Sequence, residues 1–520
     1  MTRHAFLTQQ PLVEARAAFL GAFDWIRLAG TGEIDSAEAL GRVTAAPVFA
    51  VFSSPGYAGA AVDGYAVAAE NTYLAAPQSP VTLVVGQDAF PVNTGHPLPP
   101  GTDAVVMIES VHQPEPGTVE LRAAAFPWQH VRRVGEDIVA GELLFPHHEK
   151  LGATDVAALL TAGVFRLPVL SVPRVAVIPT GAELVDWRDA MREPPMPGRI
   201  LETNSVLLSG LVRQAGGAAT VFPRCPDSHQ SLRAAVLAAV ASDAHLVVVN
   251  AGASAGSEDH TVHVLSDIGR VLVHGIAAMP GKPTILAEVQ GKPVVGSPGY
   301  PVSAWVCFDQ FIGPALARMQ GQPEPRRDEV PVVGARRMAS RLGQDEFVRV
   351  HLGRVGDQIV ASPLRRGAGA ITSLARADGV LRIEAASEGL DEGKPAVAEL
   401  LRPRWVVERT LVIVGSHDVT LDLLADHVRR LDPTIHVSSS NLGSLAGLLA
   451  LRDGRCHLGG THLLDPSTGD YNVSDVKKYL AGKRVRLVTL AMRAQGLIVK
   501  RGNPLGSEGW ETWRARKSRS

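Results

Sequence analysis

The sequence predicts a multidomain α/β protein, and three observations carry that prediction. Short β-branched apolar runs alternate with helical patterns over residues 173–322, which implies a doubly wound, mostly parallel sheet with helices on both faces. Between residues 51 and 140 the texture changes to short β-rich pieces cut by Pro and Gly, with helical stretches before and after. A chain of 520 residues has room for roughly three to five domains.

Taken in order, QPLVEARAAFLGAF puts Leu12, Ala15, Phe19 and Phe23 on one helical face. DSAEALGRV (Asp35–Val43) predicts a second helix behind an Asp/Ser cap. TLVVG, GTDAVVMIESV, TVELRA and WQHVRRVGED make up the β-rich module at 51–140. Helix returns in ATDVAALLTAG (Ala153–Gly163), which ends on a helix-stopping glycine. Residues 1–50 and 141–172 are therefore expected to pack as one discontinuous body around an insertion.

The segment 173–322 reads as strand RVAVIPTG, helix SVLLSGLVRQAG, strand TVFPRC, helix SLRAAVLAAVAS, strand LVVVNAG, then strands TILAEV and PVVGSPG. In such a sheet ligands sit beyond the strand C-termini, where each glycine loop falls. Residues 323–403 hold the short strands EVPVVGAR, EFVRVHLGRV, QIVASPL and AVAELL, a small β domain. A further strand–helix unit is expected over 404–505, opening at LVIVGSHD, with Ser416, Ser438, Ser439, Ser440 and Thr461 at loop positions. Residues 506–520 are polar and basic and are expected to be disordered.

Bulk properties narrow the function. Lys+Arg 51 against Asp+Glu 52 leaves a net charge of −1, which argues against a sequence-blind nucleic-acid binder. The three cysteines (Cys225, Cys307, Cys456) lie far apart without CxxC spacing, which argues against a disulfide framework or zinc site and fits a reducing compartment. The N-terminus has no signal-peptide core, and no apolar run reaches about 18 residues. The expectation is a soluble, cytoplasmic protein that engages neither membrane nor nucleic acid.

The chemistry concentrates between His245 and Ser303. HLVVV reads as a buried strand, NAGASAGSEDHT (Asn250–Thr261) as a small-residue loop, and a helical pattern starts near Glu258. Unpaired N–H groups and the positive helix end would make that loop, with Gly252, Ser254 and Gly256, an anion site. PGKP (Pro280–Pro283) adds a cation, Lys282, and GSPGYPVSA (Gly296–Ala304) a second rigid turn. Asp63, Asp137, Glu183, Asp227 and Asp259 sit in turn-rich contexts, but Glu183 and Asp259 each follow the C-terminal end of a predicted parallel strand. Two carboxylates beside a phosphate repel it unless a hard cation such as Mg²⁺ intervenes, so Glu183, Asp259, the glycine loops and Lys282 together point to a Mg²⁺–phosphate site. Thr203–Ser205 (TNS) reads as an N-cap left free to touch a ligand. No GxxxxGK[ST] occurs, which argues against a P-loop, and His147–His148 lacks an HExxH partner and reads as a solvated turn.

These pieces resemble the molybdopterin molybdenumtransferase family (MoeA and the equivalent domain of gephyrin). The matching motifs are AVDGYAV (Ala61–Val67), NTGHPLPPGTDAVVMIE (Asn93–Glu109), VGEDI (Val134–Ile138), AVIPTGAEL (Ala176–Leu184), ETNS (Glu202–Ser205), AGASAGSED (Ala251–Asp259), PGKP and GSPGYPVSA, in the family's order. The resemblance covers roughly residues 10–403 and implies four domains: 1–50 with 141–172, 51–140, a MogA-like α/β domain at 173–322, and a small β-barrel at 323–403. It further implies a homodimer with its active site between subunits, in which molybdate is inserted into adenylated molybdopterin and AMP is released with Mg²⁺ assistance. A MogA-type adenylyltransferase would supply the pterin.

By the same resemblance Asp63, Thr94, Asp137, Glu183, Asp227, Asp259, Lys282, Pro298, Pro301 and Ser373 line or support the cleft, while the strand pattern itself puts Thr180, Gly181 and Ser205 at the sheet edge as further ligand-binding candidates. Of these the residues themselves point to Glu183, Asp259 and Lys282, with Glu183 and Asp259 as metal ligands. The chain departs from the family pattern at Ala60–Ala61, where a serine is usual, at Met279, where a lysine is common, and at Ala251 in a usual GG. Residues beyond about 405 resemble part of a periplasmic-binding-protein-like domain, a class that includes oxyanion binders. A non-catalytic scaffold or regulator binding cofactor or oxyanion stays open as the alternative, and molybdate is not distinguished from tungstate.

Overall fold

The structure, a computed structural model, describes residues 9–250, 260–492, 498–504, 506 and 509. The described residues form two compact units, one within Met1–Leu352 and Ile359–Glu408, the other within Gly353–Gln358 and Arg409–Ser520.

The first unit begins with the helix Leu12–Leu20, which buries Leu12, Ala15, Phe19 and Leu20 at helical spacing. Phe19 meets Trp25 and Phe311 edge-on, at centroid distances of 5.6 and 6.2 Å. The helix expected over Asp35–Val43 does not form. Thr31–Asp35 is instead a strand, antiparallel to Arg166–Leu170, and only Ser36–Glu38 makes a 3₁₀ turn before Gly41 enters the left-handed region at φ +74°. Pairing across the chain overrides a weak local helix propensity here. Val48–Phe49 likewise pairs with Leu143–Phe145.

In the β-rich segment between, Gly64–Val67 lies between Ala89–Val92 and Ala104–Met107, antiparallel to both. Val81–Val84, Thr118–Leu121 and Val111–His112 form a second small sheet over a core that includes Tyr65, Val67, Leu83, Val119 and Leu121.

The α/β part is a six-stranded sheet in the order Ala218–Val221, Arg174–Pro179, Leu246–Asn250, Lys292–Ser297, Ile285–Val289, Arg270–His274. The first four run parallel, and Ile285–Val289 is antiparallel to both its neighbours. Its strands read as unbroken apolar runs because both faces are covered. Val175, Val177, Leu246, Val248 and Val295 face a core shared with Leu12–Leu20, Asn204–Gln214 and Pro301–Cys307. Ala176, Ile178, Val247, Val249 and Val294 face the helices His229–Ala241 and His260–Ile268. The predicted strand TVFPRC shortens to Ala218–Val221; past Pro223 one isolated pairing, Thr180 with Cys225, remains.

Glu329–Gly334, Asp345–Val355, Gln358–Pro363, Gly379–Ile383 and Pro395–Leu400 close into a barrel through the pairing of Asp345–Val355 with Gly379–Ile383. Arg327 ties the barrel to the α/β part: its guanidinium pairs with Asp309 and, at 3.0 Å, with Glu399, and stacks 5.2 Å over Trp305. The second unit has a parallel sheet in the order His436–Asn441, Thr410–Gly415, Leu458–Gly460, with the helix Ser444–Arg452 packed on it. Ser438, Ser439 and Ser440 lie within the strand His436–Asn441 rather than in a loop, while Ser416 and Thr461 follow strand ends. Of residues 506–520, all but 506 and 509 lie outside the described residues.

One buried group makes the α/β sheet acid-sensitive. His245, just before the strand Leu246–Asn250, is 6% exposed, and its Nδ1 accepts the N–H of Arg174 at 3.1 Å. Burial, then the charges of Arg174 and Lys292, push its pKa down to about 4 from an ordinary 6.5. The unfolded chain therefore binds a proton below pH 6.5 that the folded chain refuses until about pH 4, so stability falls as pH drops through that window. At about 1.4 kcal/mol per unit the loss is on the order of 3 kcal/mol. Denaturant midpoints measured from pH 7 to pH 4.5 should show a steeper decline for the wild type than for His245→Gln.

Candidate functional site

The candidate site is built at the carboxyl edge of the α/β sheet. Where the strand Arg174–Pro179 ends, Thr180 is buried, and both its N–H (2.9 Å) and its Oγ1 (3.2 Å) reach the carbonyl of Asn250. Gly181 N donates to Cys225 O at 3.2 Å, and Cys225 N donates back to Pro179 O at 2.8 Å. Thr180 thus fastens neighbouring strand ends together. Gly181 has φ +137°, and a Cβ there would lie 2.7 Å from Glu183 Oε1, so the half-buried Glu183 carboxylate folds back over a turn that requires glycine.

Arg199 and Arg224 donate to the carbonyls of Ala182 and Leu184, on either side of Glu183. Sequence reading missed both arginines. Their signal is only their position, Arg199 directly before the strand Ile200–Glu202 and Arg224 just past Ala218–Val221. Asp227 is exposed two residues beyond Cys225, whose thiol is pushed up first by burial and then by the Asp227 charge.

A second loop, Ser297–Pro301, is held by two side-chain amides. Asn250 Nδ2 donates to Pro298 O at 3.2 Å, and Asn204 Nδ2 to Gly299 O at 2.6 Å. Pro301 then opens the helix Pro301–Cys307 at its first turn, where its missing N–H costs nothing. The predicted Thr203–Ser205 cap is corrected in detail. Thr203 makes no side-chain cap bond; Glu202 accepts from Ser205 N at 2.9 Å and from the Ser205 hydroxyl, so buried Ser205 is already committed.

Lys282 is half-buried in a turn closed by Thr284, whose N and Oγ1 donate to Gly281 O at 3.0 and 2.7 Å. Its ammonium makes no ion pair or hydrogen bond with any described residue, which leaves it available to an anion.

Ser373 is buried on the barrel side, its hydroxyl donating to Ala370 O at 2.7 Å and accepting from Arg349 Nε at 3.2 Å. Arg349, 2% exposed, was also missed. It donates to the carbonyls of Phe347 (3.2 Å), Arg365 (2.8 Å) and Gly367 (3.3 Å), and burial lowers its pKa from the ordinary value. The available signal was an arginine inside the apolar strand segment EFVRVHL. The loop it holds reaches the helix behind the second loop, with Val302 N donating to Ala368 O at 3.0 Å.

Asp63 and Thr94 are brought together on the β-rich module: Asp63 Oδ1 accepts from Thr94 N at 2.7 Å and Thr94 Oγ1 at 3.2 Å. Gly64 beside it is obligatory, since a Cβ there would fall 1.9 Å from Val106 O. Asp137 is exposed, its N–H on Ser54 O at 3.0 Å. Among the described residues no hydrogen bond or ion pair joins these three to Glu183 or Lys282. Gly252, Ser254, Gly256 and Asp259 lie outside the described residues. Among the described residues no cluster of three or more His, Cys, Asp or Glu is arranged to hold a metal, so the described part of the predicted Mg²⁺ pair is Glu183 alone. No described helix is long and apolar enough to cross a membrane.

Family models match along most of the chain: the MoeA N-terminal region (domain I and II) over residues 11–163, a probable molybdopterin binding domain over 176–318, and the MoeA C-terminal region (domain IV) over 331–401. A PBP superfamily domain matches 425–519. A protein of Methanocaldococcus jannaschii named for molybdopterin biosynthesis is 31% identical over 383 residues, 71% of this chain and 92% of that protein. Molybdopterin molybdenumtransferase 2 of Mycobacterium tuberculosis is 35% identical over 309 residues, covering 55% of this chain and 75% of the relative. The crystal structure of a molybdopterin biosynthesis MoeA protein from Pyrococcus horikoshii superposes with a TM-score of 0.65 at 33% identity, covering 76% of this chain and all of that one.

The Gly181 turn generates a prediction. In Gly181→Ala the clash falls on the far end of the Glu183 side chain, which can swing away, while the strained backbone costs about 1–3 kcal/mol. Calorimetric melting should fall modestly, and any anion affinity that depends on Glu183 should fall much further, as titration calorimetry with AMP and Mg²⁺ would measure.

Proposed function

Since the chain belongs to the MoeA family and acts in molybdenum cofactor biosynthesis as a transferase, we propose that it inserts molybdate into adenylated molybdopterin and releases AMP. The observation that supports this reading is that Lys282, with no bonded partner among the described residues, and the half-buried carboxylate Glu183 both lie in glycine-containing turns of one α/β part, which also carries an amide-pinned proline loop. Lys282 and backbone N–H groups would offset the charge of molybdate and pyrophosphate. Glu183, with Asp259, would hold Mg²⁺: a half-buried carboxylate is the hard oxygen donor that ion takes, and the ion when bound would neutralise phosphate oxygens. Thr180, Asn250 and Ser205 keep the strand ends in place, and Arg349 with Ser373 fixes the barrel loop.

Asp63, Thr94 and Asp137 belong to the same reading through a second copy of the chain. All three are exposed, and their described bonds stay within 51–140, so a homodimer with an inter-subunit cleft would bring them to a partner's Glu183. The four-domain division at 1–50 with 141–172, 51–140, 173–322 and 323–403 belongs to this proposal. So do the MogA-type adenylyltransferase that supplies the substrate and a cytoplasmic site of action.

Purified protein should release AMP from adenylated molybdopterin in a molybdate- and Mg²⁺-dependent way. Glu183→Ala and Asp259→Ala should each lower that rate by roughly a hundred-fold or more, the usual scale for a lost electrostatic group. Tight pterin binding without AMP release in the wild type would favour the binding-only alternative.

A further inference from the structure

Tyr300 sits between the two prolines of GSPGYP with 65% of its surface exposed. An exposed aromatic is ordinary on a loose segment, but this one is held from several directions. The carbonyls before it are fixed by Asn250 and Asn204. Its own carbonyl accepts from Ala304 N at 2.9 Å as the helix cap, and Pro301 restricts the next φ. Two residues on, Val302 N is tied to Ala368 O. The ring itself lies against Gly369, where a Cβ would come within 3.3 and 3.5 Å of Cδ1 and Cε1, so a bare glycine makes room for it. The phenol hydroxyl makes no hydrogen bond with any described residue.

Packing does not explain such a ring, since little of it is buried. Rigid aromatic anchors with an open surface are the groups that bind at low entropic cost, because their freedom is already lost on folding.

We propose that Tyr300 is the stacking platform for a planar bicyclic ring of the substrate. This rests on the reading above, in which the ligand carries both a pterin and an adenine. Both are flat, nitrogen-rich π-systems whose ring would lie on the tyrosine while the phosphates reach the sheet-edge groups on the loops fastened to it. Ring stacking of this kind is worth roughly ten- to a hundred-fold in affinity when the aromatic is cut to alanine.

The test titrates the full chain with AMP and, separately, with molybdopterin, comparing wild type, Tyr300→Phe and Tyr300→Ala. Tyr300→Ala should lose about ten-fold or more for one of the two probes with an unchanged melting temperature, while Tyr300→Phe stays within about two-fold of wild type. The probe that loses affinity identifies the stacked ring. Wild-type affinity of Tyr300→Ala for both probes overturns the proposal, as does an equal loss in Tyr300→Phe, which would assign the effect to the hydroxyl. A wild type that binds neither probe removes instead the substrate assignment on which the proposal rests.

Discussion

The candidate site depends on Asn250, a buried amide at the end of the central strand. Its carbonyl receives the N–H and hydroxyl of Thr180 from one neighbouring strand end, and its side chain donates to Pro298 beyond the other. The backbone carbonyl accepts from Thr180 while the buried side-chain amide donates to Pro298, so one residue joins two loops. Glu183 lies three residues past the first of those loops, and Tyr300 two residues past Pro298. An aliphatic residue of similar size would keep the backbone carbonyl that receives Thr180 yet leave the Pro298 carbonyl without its amide donor.

The sheet behind that anchor is rigid for the same reason its sequence is monotonous. Alternate residues of Arg174–Pro179 and Leu246–Asn250 enter two different cores, so neither strand has a polar face on which to slip by one residue. That rigidity is what lets turn glycines carry function. At Gly181 the chain adopts a conformation other residues resist, and it does so against a strand that cannot move to relieve it.

Much of this was legible in the sequence because it rests on local chemistry. Glu183 and Lys282 lie in glycine and proline turns at the ends of apolar runs, and the doubly wound sheet follows from those runs. The rest depends on partners distant in the chain. Arg349 reads as an anomaly in a strand until Arg365 and Gly367 are seen to offer their carbonyls. Asn204 looks like part of a helix cap until its amide is found on Gly299, and the cap itself turns out to be Glu202. The missing helix at Asp35–Val43 has the same cause, since the competing strand partner lies more than a hundred residues away.

Two arginines at the junction of barrel and α/β sheet, Arg327 half-buried and Arg349 buried, show two ways of holding a charge there. Arg327 faces Asp309 and Glu399, and those carboxylates raise its pKa despite burial. It is a neutralised clamp whose field ends with its partners. Arg349 carries the same charge in a more deeply buried position, and its hydrogen bonds go to three carbonyls and a hydroxyl, none of them charged. Glu346, the acidic neighbour acting on it, is itself paired with Arg366 at 3.2 Å. The hydrogen bonds that offset the desolvation of Arg349 therefore come from neutral dipoles, and the nearby charge of Glu346 only partly counters burial. A structural arginine gains from a carboxylate partner. Arg349 bonds only neutral groups, and burial, the largest cause, with the nearby Arg366 charge lowers its pKa despite the opposing field of Glu346.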